Sequence, residues 1–262
     1  MNTQQVPIIK SLKDQSAVVT GGSRGLGLGL VEALVEQGVR VTVVARDEKY
    51  LAAVRERLGV ITLAGDITDA DVAKRVLKQA NPTILALNAG AIPHTGSLDQ
   101  LSWENFSKTW ETDVKAGLYW LQAALLQPLE PGTRVLVSSS GAAIQGSRMS
   151  GGYAGAKRTL WIMASYANGI SKARNLGIHF QTIVPMQMVL GTGVGQAGAE
   201  AYSRGTGMNP EEFIAAHFGA LLEPRKFGEY IVSILTDPKY GGGFAFGLQG
   251  EAGVTILEEA AS

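Results

Sequence analysis

The stretch Tyr153-Ala154-Gly155-Ala156-Lys157 sets a phenol and an ammonium one helical turn apart on one face. A cation at that distance favours the phenolate, which suits Tyr153 to give or take a proton as a general acid or base. Tyrosine and lysine at this spacing also describe an ordinary surface pair on a helix. Ser140 separates the two readings. It lies 13 residues before Tyr153 at the end of an apolar run, where its hydroxyl can point at the same spot.

A second constellation lies near the start of the chain. Thr20-Gly21-Gly22-Ser23-Arg24-Gly25-Leu26-Gly27 joins an apolar run to a helical pattern that continues to Gln37. Glycines at such a turn let the backbone approach a pyrophosphate, and the helix start offers unpaired N–H groups and a positive dipole end. Any open sheet can also hold a tight glycine turn. Gly21-Gly22-Ser23-Arg24-Gly25 further matches the G-x-S-x-G nucleophile elbow of serine hydrolases. That fold needs earlier strands and an upstream oxyanion loop, and only 22 residues precede Ser23. At the end of the next run, Val44-Ala45-Arg46-Asp47, a dinucleotide fold places an acid for a free ribose 2′-hydroxyl or an arginine for a 2′-phosphate. Arg46 stands where it can pair with a phosphate and Arg24 can close on the same group, which favours NADP(H) over NAD(H). The alternatives are that Arg46 is a solvated residue at a helix start, and that Asp47 is a helix N-cap and not a ribose ligand.

These groups need rigid elements to hold them. The chain alternates short β-branched runs with longer amphipathic stretches, the pattern of strand-helix-strand units and a parallel sheet. It predicts strands at 17–20, 40–45, 60–64, 83–87, 134–138, 179–184 and 244–247, with helices between them. Thr68 followed by Asp71 resembles a capping box, and Pro210 with Glu211 and Glu212 suits a first helical turn. No linker or composition break divides the chain, so the expectation is a short arm, 1–14, and one α/β domain over 15–262. Residues 191–209, rich in glycine and small side chains after a strand end, predict a mobile lid reaching toward 220.

A chain of 262 residues sits near the upper end of what one hydrophobic core organises, and 45% hydrophobic against 18% charged residues supports such a core. Lys plus Arg and Asp plus Glu number 23 each, so net charge makes no case for a nucleic acid or an anionic membrane as partner. The absence of cysteine excludes disulfides, thiolate metal sites and cysteine nucleophiles, and it fits the cytoplasm. Residues 1–15 are polar and mixed in charge, unlike a signal peptide. Residues 176–199 carry no Asp, Glu, Lys or Arg, but Pro185, three glutamines and five glycines make them a strand and loop, not a membrane span.

In this order the motifs resemble the short-chain dehydrogenase/reductase family over roughly residues 15–250. The pieces are T-G-x-x-x-G-x-G at 20–27, Gly65-Asp66-Ile67 after the third strand, Asn88-Ala89-Gly90 after the fourth, then Ser140, Tyr153, Lys157 and Pro185. The resemblance implies a single-domain, Rossmann-like, doubly wound parallel sheet of about seven strands, with NAD(P)(H) across the strands' carboxyl ends. By the same resemblance, Asp66 and Ile67 flank the adenine, Asn88, Ala89 and Gly90 line the cofactor channel, and Lys157 also binds the nicotinamide ribose. Ser140 would hold the substrate oxygen while Tyr153 passes it a proton and hydride moves to or from the carbon.

Three positions depart from the family pattern. Asp113 stands where an active-site Asn is usual, expected near Lys157 across a water. Pro185-Met186 replaces Pro-Gly, with Thr192 displaced by two from the usual cofactor-amide contact, and the C-terminal strand ends Phe246-Gly247-Leu248-Gln249-Gly250. The implied activity is NADP(H)-dependent interconversion of a secondary alcohol and a ketone or aldehyde. Reduction of an activated carbon–carbon double bond shares the fold, and a non-catalytic NADP(H)-binding sensor is the alternative from another class, against which the intact Ser140, Tyr153 and Lys157 argue. His94, His179 and His217 are too scattered for a metal site, with His94 expected nearest the pocket. Trp103, Trp110, Tyr119 and Trp120 are expected around one long helix. The stretches 118–126 and 159–167 look too apolar for helices with a solvent face, so a homodimer or homotetramer is expected.

Overall fold

The computed structural model describes residues 8–204 and 206–257. Half of the expected arm, residues 1–7, and the last five residues lie outside the described residues. Within them the chain runs β1 (Ser16–Thr20), α1 (Gly25–Glu36), β2 (Arg40–Ala45), α2 (Glu48–Leu58), β3 (Ile61–Ala64), α3 (Ala70–Ala80) and β4 (Ile84–Leu87). It continues through α4 (Trp103–Thr109), a π-turn (Trp110–Val114), α5 (Lys115–Leu126), β5 (Arg134–Ser138), α6 (Ala142–Gln145) and α7 (Gly151–Ala173). Then come β6 (His179–Pro185), α8 (Gly193–Ser203), α9 (Pro210–Phe218), α10 (Pro224–Thr236), β7 (Ala245–Gln249) and β8 (Gly253–Leu257).

The strands form one sheet in the order β3-β2-β1-β4-β5-β6-β7-β8. Every pairing is parallel except β7 with β8. After β3 the chain crosses back over β1 to lay down β4, so the winding reverses between β1 and β4. The carboxyl ends of those strands open the crevice in which such sheets bind ligands. Both faces are covered, which is why the strands read as nearly continuous apolar runs. Alternate residues go to opposite cores: Val19, Val41 and Val43 meet Leu30, Leu34, Phe227 and Ile231 from α1 and α10. On the other face Val18, Val44 and Leu85 meet Val76, Trp120, Leu121 and Leu160 from α3, α5 and α7. The α1–α10 contact leaves no clearance, since a Cβ on Gly29 would lie 1.9 Å from the Pro224 carbonyl oxygen and one on Gly228 would lie 2.2 Å from the Gly29 oxygen.

The seven expected strands are present, with ends shifted by at most two residues, and the sheet has an eighth. β8 escapes the strand-helix-strand pattern because it returns directly from β7 as a hairpin. The helix start at Thr68 is corrected: Asp69 caps α3, its carboxylate accepting from the Asp71 amide at 2.8 Å, while the Thr68 hydroxyl turns back to Asp66 at 2.9 Å. At Pro210 the expected start stands, completed by a reciprocal capping box between Asn209 and Glu212. The stretch expected as a loop lid folds in large part as α8. The aromatic residues expected on one long helix fall on three segments, with Trp103 on α4, Trp110 on the π-turn, and Tyr119 and Trp120 on α5. Among the described residues no helix is long and apolar enough to cross a membrane.

Candidate active site

One cavity of about 1040 Å³ runs along the carboxyl edge of the sheet. Its first part is built by the turn after β1. The Thr20 hydroxyl donates to the Ala86 carbonyl at 3.3 Å and accepts from the amides of Asn88 and Ala89 at 3.0 and 3.2 Å, which locks the ends of β1 and β4 together. Thr20 therefore shapes the floor without lining the cavity. Gly27 also sits behind the lining, because a Cβ there would fall 2.2 Å from the Gly21 carbonyl oxygen. Gly21, Ser23, Arg24, Gly25 and Leu26 face the cavity. Arg24 begins α1 with no side-chain cap on the helix and no acid in its first turn. The free N–H groups and dipole at that end suit a pyrophosphate.

At the end of β2, Arg46, Asp47 and Tyr50 line the cavity. The Asp47 carboxylate caps α2, its Oδ1 accepting from the amides of Lys49 and Tyr50 at 2.9 and 3.3 Å. Arg24 lies 5.8 Å from the centre of the Tyr50 ring, and neither Arg24 nor Arg46 forms an ion pair among the described residues. Both guanidinium groups are exposed, and Arg46 lies near enough to Asp66 to act on its carboxyl. Asp66 and Ile67 line the next stretch, and the Thr68 amide holds the Asp66 carboxyl below its usual range against burial, with help from the Thr68 hydroxyl, Arg46 and Lys115. Asn88, Ala89, Gly90, Pro185 and Thr192 line the channel beyond. Thr192 spends its hydroxyl on α8, accepting from the Gly195 amide at 3.0 Å and donating to the Val189 carbonyl at 2.7 Å.

Ser140, Tyr153, Lys157 and Asp113 all line this cavity. Ser140 follows β5, and its oxygen accepts from the Ala142 amide at 3.3 Å, which leaves its O–H to donate to a substrate oxygen. Tyr153 and Lys157 share a face of α7, with the lysine Nζ 5.6 Å from the tyrosine ring centre. The neighbouring Ser139 hydroxyl donates to the Lys157 carbonyl at 2.8 Å and so fixes α7 to the end of β5.

The expected water between Asp113 and Lys157 is corrected to a direct ion pair. Asp113 Oδ2 lies 3.0 Å from Lys157 Nζ, with the two side chains 0% and 7% exposed. The π-turn carries Asp113 deep enough for its Oδ1 to accept from the Ala91 amide at 2.7 Å. Gly90 makes the room, since a Cβ there would sit 2.7 Å from Oδ2. Burial alone would push the Lys157 ammonium down, but the Asp113 carboxylate, aided by Tyr153, more than compensates and holds it above the ordinary lysine value.

Sequence patterns missed several groups around this centre. Trp110 donates from Nε1 to the Gly152 carbonyl at 2.9 Å, tying the π-turn to the residue before Tyr153. Nothing in the sequence flags a π-turn, so that tie had no signal. His217 lines the cavity and His94 does not, because α9 folds over the mouth and brings Phe213, His217 and Phe218 with it.

A sequence profile described as short chain dehydrogenase matches residues 15–196. An uncharacterized oxidoreductase of Escherichia coli is 29% identical over 187 residues, covering 66% of this chain and 62% of that protein. Human L-xylulose reductase is 30% identical over 132 residues, 49% of this chain and 54% of that protein. These matches span less than two-thirds of either relative. In fold, the chain resembles L-sorbose reductase from Gluconobacter frateurii, solved with NADPH and L-sorbose, at a TM-score of 0.74 and 18% identity, over 92% of this chain and 97% of that one. The profile covers most of the chain, including the glycine turn, Ser140, Tyr153 and Lys157, and on that match the chain belongs to the short-chain dehydrogenase family.

Proposed function

We propose that the protein interconverts a secondary alcohol and a ketone or aldehyde, with NADP(H) as hydride carrier and Tyr153 as acid and base. The observation that carries this reading is the convergence of Ser140, Tyr153 and Lys157 on the cavity that begins at the free N-terminus of α1. When bound, the nicotinamide supplies or accepts the hydride. Ser140 donates to the carbonyl oxygen and fixes the carbon beside Tyr153. Tyr153 passes its phenolic proton to that oxygen in reduction and takes it back in oxidation. Lys157 stabilises the negative charge left on the tyrosine oxygen, and Asp113 keeps the lysine charged although it is buried. The site works on a small molecule, and the lack of cysteine fits a cytoplasmic setting.

Arg24 and Arg46 support NADP(H) over NAD(H), because each bond from a guanidinium to the 2′-phosphate is worth about 1.5–3 kcal/mol. Titration of each nucleotide against the protein should show tighter binding of NADPH, and Arg46→Asp should reverse the order. Equal dissociation constants in the unmodified protein would remove the assignment. The activity is tested by following NADPH absorbance with a panel of ketones, aldehydes and ketoses, the last prompted by the substrates named for two relatives. Consumption only with α,β-unsaturated carbonyls would move the reading to double-bond reduction.

A further inference from the structure

Beyond Ser140 and Tyr153 the cavity is walled by four stacked side chains from three segments. Arg148, in the loop between α6 and α7, holds its guanidinium carbon 5.5 Å from the centre of the Tyr202 ring on α8. Tyr202 stacks on Phe213 of α9 at 6.4 Å, and Phe213 on His217 at 4.1 Å. All four line the cavity. The Tyr202 hydroxyl sits 3.2 Å from Ser147 Oγ and accepts from the Met149 amide at 3.4 Å, gripping the loop on both sides of Arg148. The Ser147 and Ser150 hydroxyls close that loop at 2.5 Å. His217 Nδ1 donates to the Phe213 carbonyl at 2.8 Å, so the ring is held as part of the wall.

The charges in the cavity are unevenly placed. Of the carboxylates that line it, Asp47 caps α2, Asp66 is held by Thr68, Asp113 pairs with Lys157, and Glu111 lies on the π-turn. None belongs to the segments that carry the stack. Arg148 makes no ion pair among the described residues. A guanidinium resting on an aromatic ring keeps its N–H fork for an acceptor in its own plane, and a carboxylate or phosphate fills such a fork with two parallel bonds. The Tyr202 ring already meets Arg148 and Phe213, which leaves it a poor stacking platform for a neutral sugar.

Resting on the proposed carbonyl chemistry of this site, we infer that the substrate carries an oxyanionic group, a carboxylate or a phosphate, seated on Arg148 while its carbonyl meets Ser140 and Tyr153. The test measures kcat/KM for matched pairs: 2-, 4- and 5-oxo acids against their methyl esters, and ketose phosphates against the free ketoses. At one chain length the anion should exceed its neutral partner by about 10- to 100-fold, the worth of a charge-assisted contact. Preference within one series and not the other identifies carboxylate or phosphate.

In Arg148→Gln the ratio should fall toward one, mainly through KM. Arg148→Lys should keep part of it, and raised ionic strength should shrink it in the unmodified protein, because Arg148 is exposed. A ratio near one across the panel, or one that Arg148→Gln leaves unmoved, overturns the inference. NADPH binding is followed separately by its fluorescence. Turnover of esters or free ketoses without an anion preference removes this inference and keeps the reductase reading. A panel left wholly unreduced by protein that binds NADPH removes both.

Discussion

Lys157 has the least choice of any residue in the site: it is buried, and its charge survives because Asp113 lies in direct contact. A lysine held above its ordinary value adds stability at neutral pH and loses that contribution only as pH rises past the usual lysine range. Asp113→Asn removes the counter-charge and leaves burial unopposed, so Lys157 should shed its proton at lower pH than before. The positive charge proposed to support the Tyr153 oxygen is then missing in the alkaline range. The variant should therefore lose oxidation rate at high pH, with the acidic limb of its pH–rate profile displaced upward. A downward displacement is the outcome expected of a water-separated carboxylate that merely dampens the lysine, and an unmoved profile would remove Asp113 from the proton path. Tyr153→Phe deletes only the proton-carrying oxygen, so turnover should drop by about 10²–10⁴-fold with NADPH binding largely intact. Single-turnover kinetics beside a nucleotide titration separates the two effects.

The elements that hold these residues differ in how plainly the chain announces them. β1, β2 and β4 to β7 are mostly buried runs, and such runs show themselves without any knowledge of partners, while the edge strand β3 has both ends exposed. β8 is half solvated, with Ile256 45% exposed, and only its pairing with β7 makes it a strand. Caps depend on which of two adjacent side chains reaches the amide, which is why Asp69 and not Thr68 starts α3. Asp69→Ala should cost about 1 kcal/mol, the usual worth of a cap, and lower the melting temperature by roughly 2–4 °C for a chain of this size. A melting curve that superimposes on the original would mean that the cap contributes nothing. That Ser140, Tyr153 and Lys157 line one cavity was legible because the proposed proton transfer demands fixed residue types at fixed spacing. The Arg148, Tyr202, Phe213 and His217 wall was not, because three separately folded segments assemble it and no spacing along the chain records their meeting.

Across the whole molecule, α5 and α7 lie side by side and send large apolar groups outward, including Leu126 and Tyr166 at 69% and 67% exposed, with Leu118 and Ile162 beside them. Their inward faces are already spent on the core through Trp120, Leu121, Leu160 and Ala164. We expect a second copy of the chain to cover this surface in a symmetric dimer or tetramer. Light scattering at micromolar concentration should return a multiple of the 27.6 kDa chain mass, and a monomer mass would refute the expectation. The glycine contact between α1 and α10 bears on how the protein is made. The phosphate turn and the first helix leave the ribosome early, yet the surface that seats that helix is synthesised roughly two hundred residues later. Until α10 emerges, Gly29 faces nothing and the core around Leu30 and Leu34 stays open. The nascent chain therefore carries the glycine turn and first helix without the surface that seats them until nearly nine-tenths of the described chain has been made.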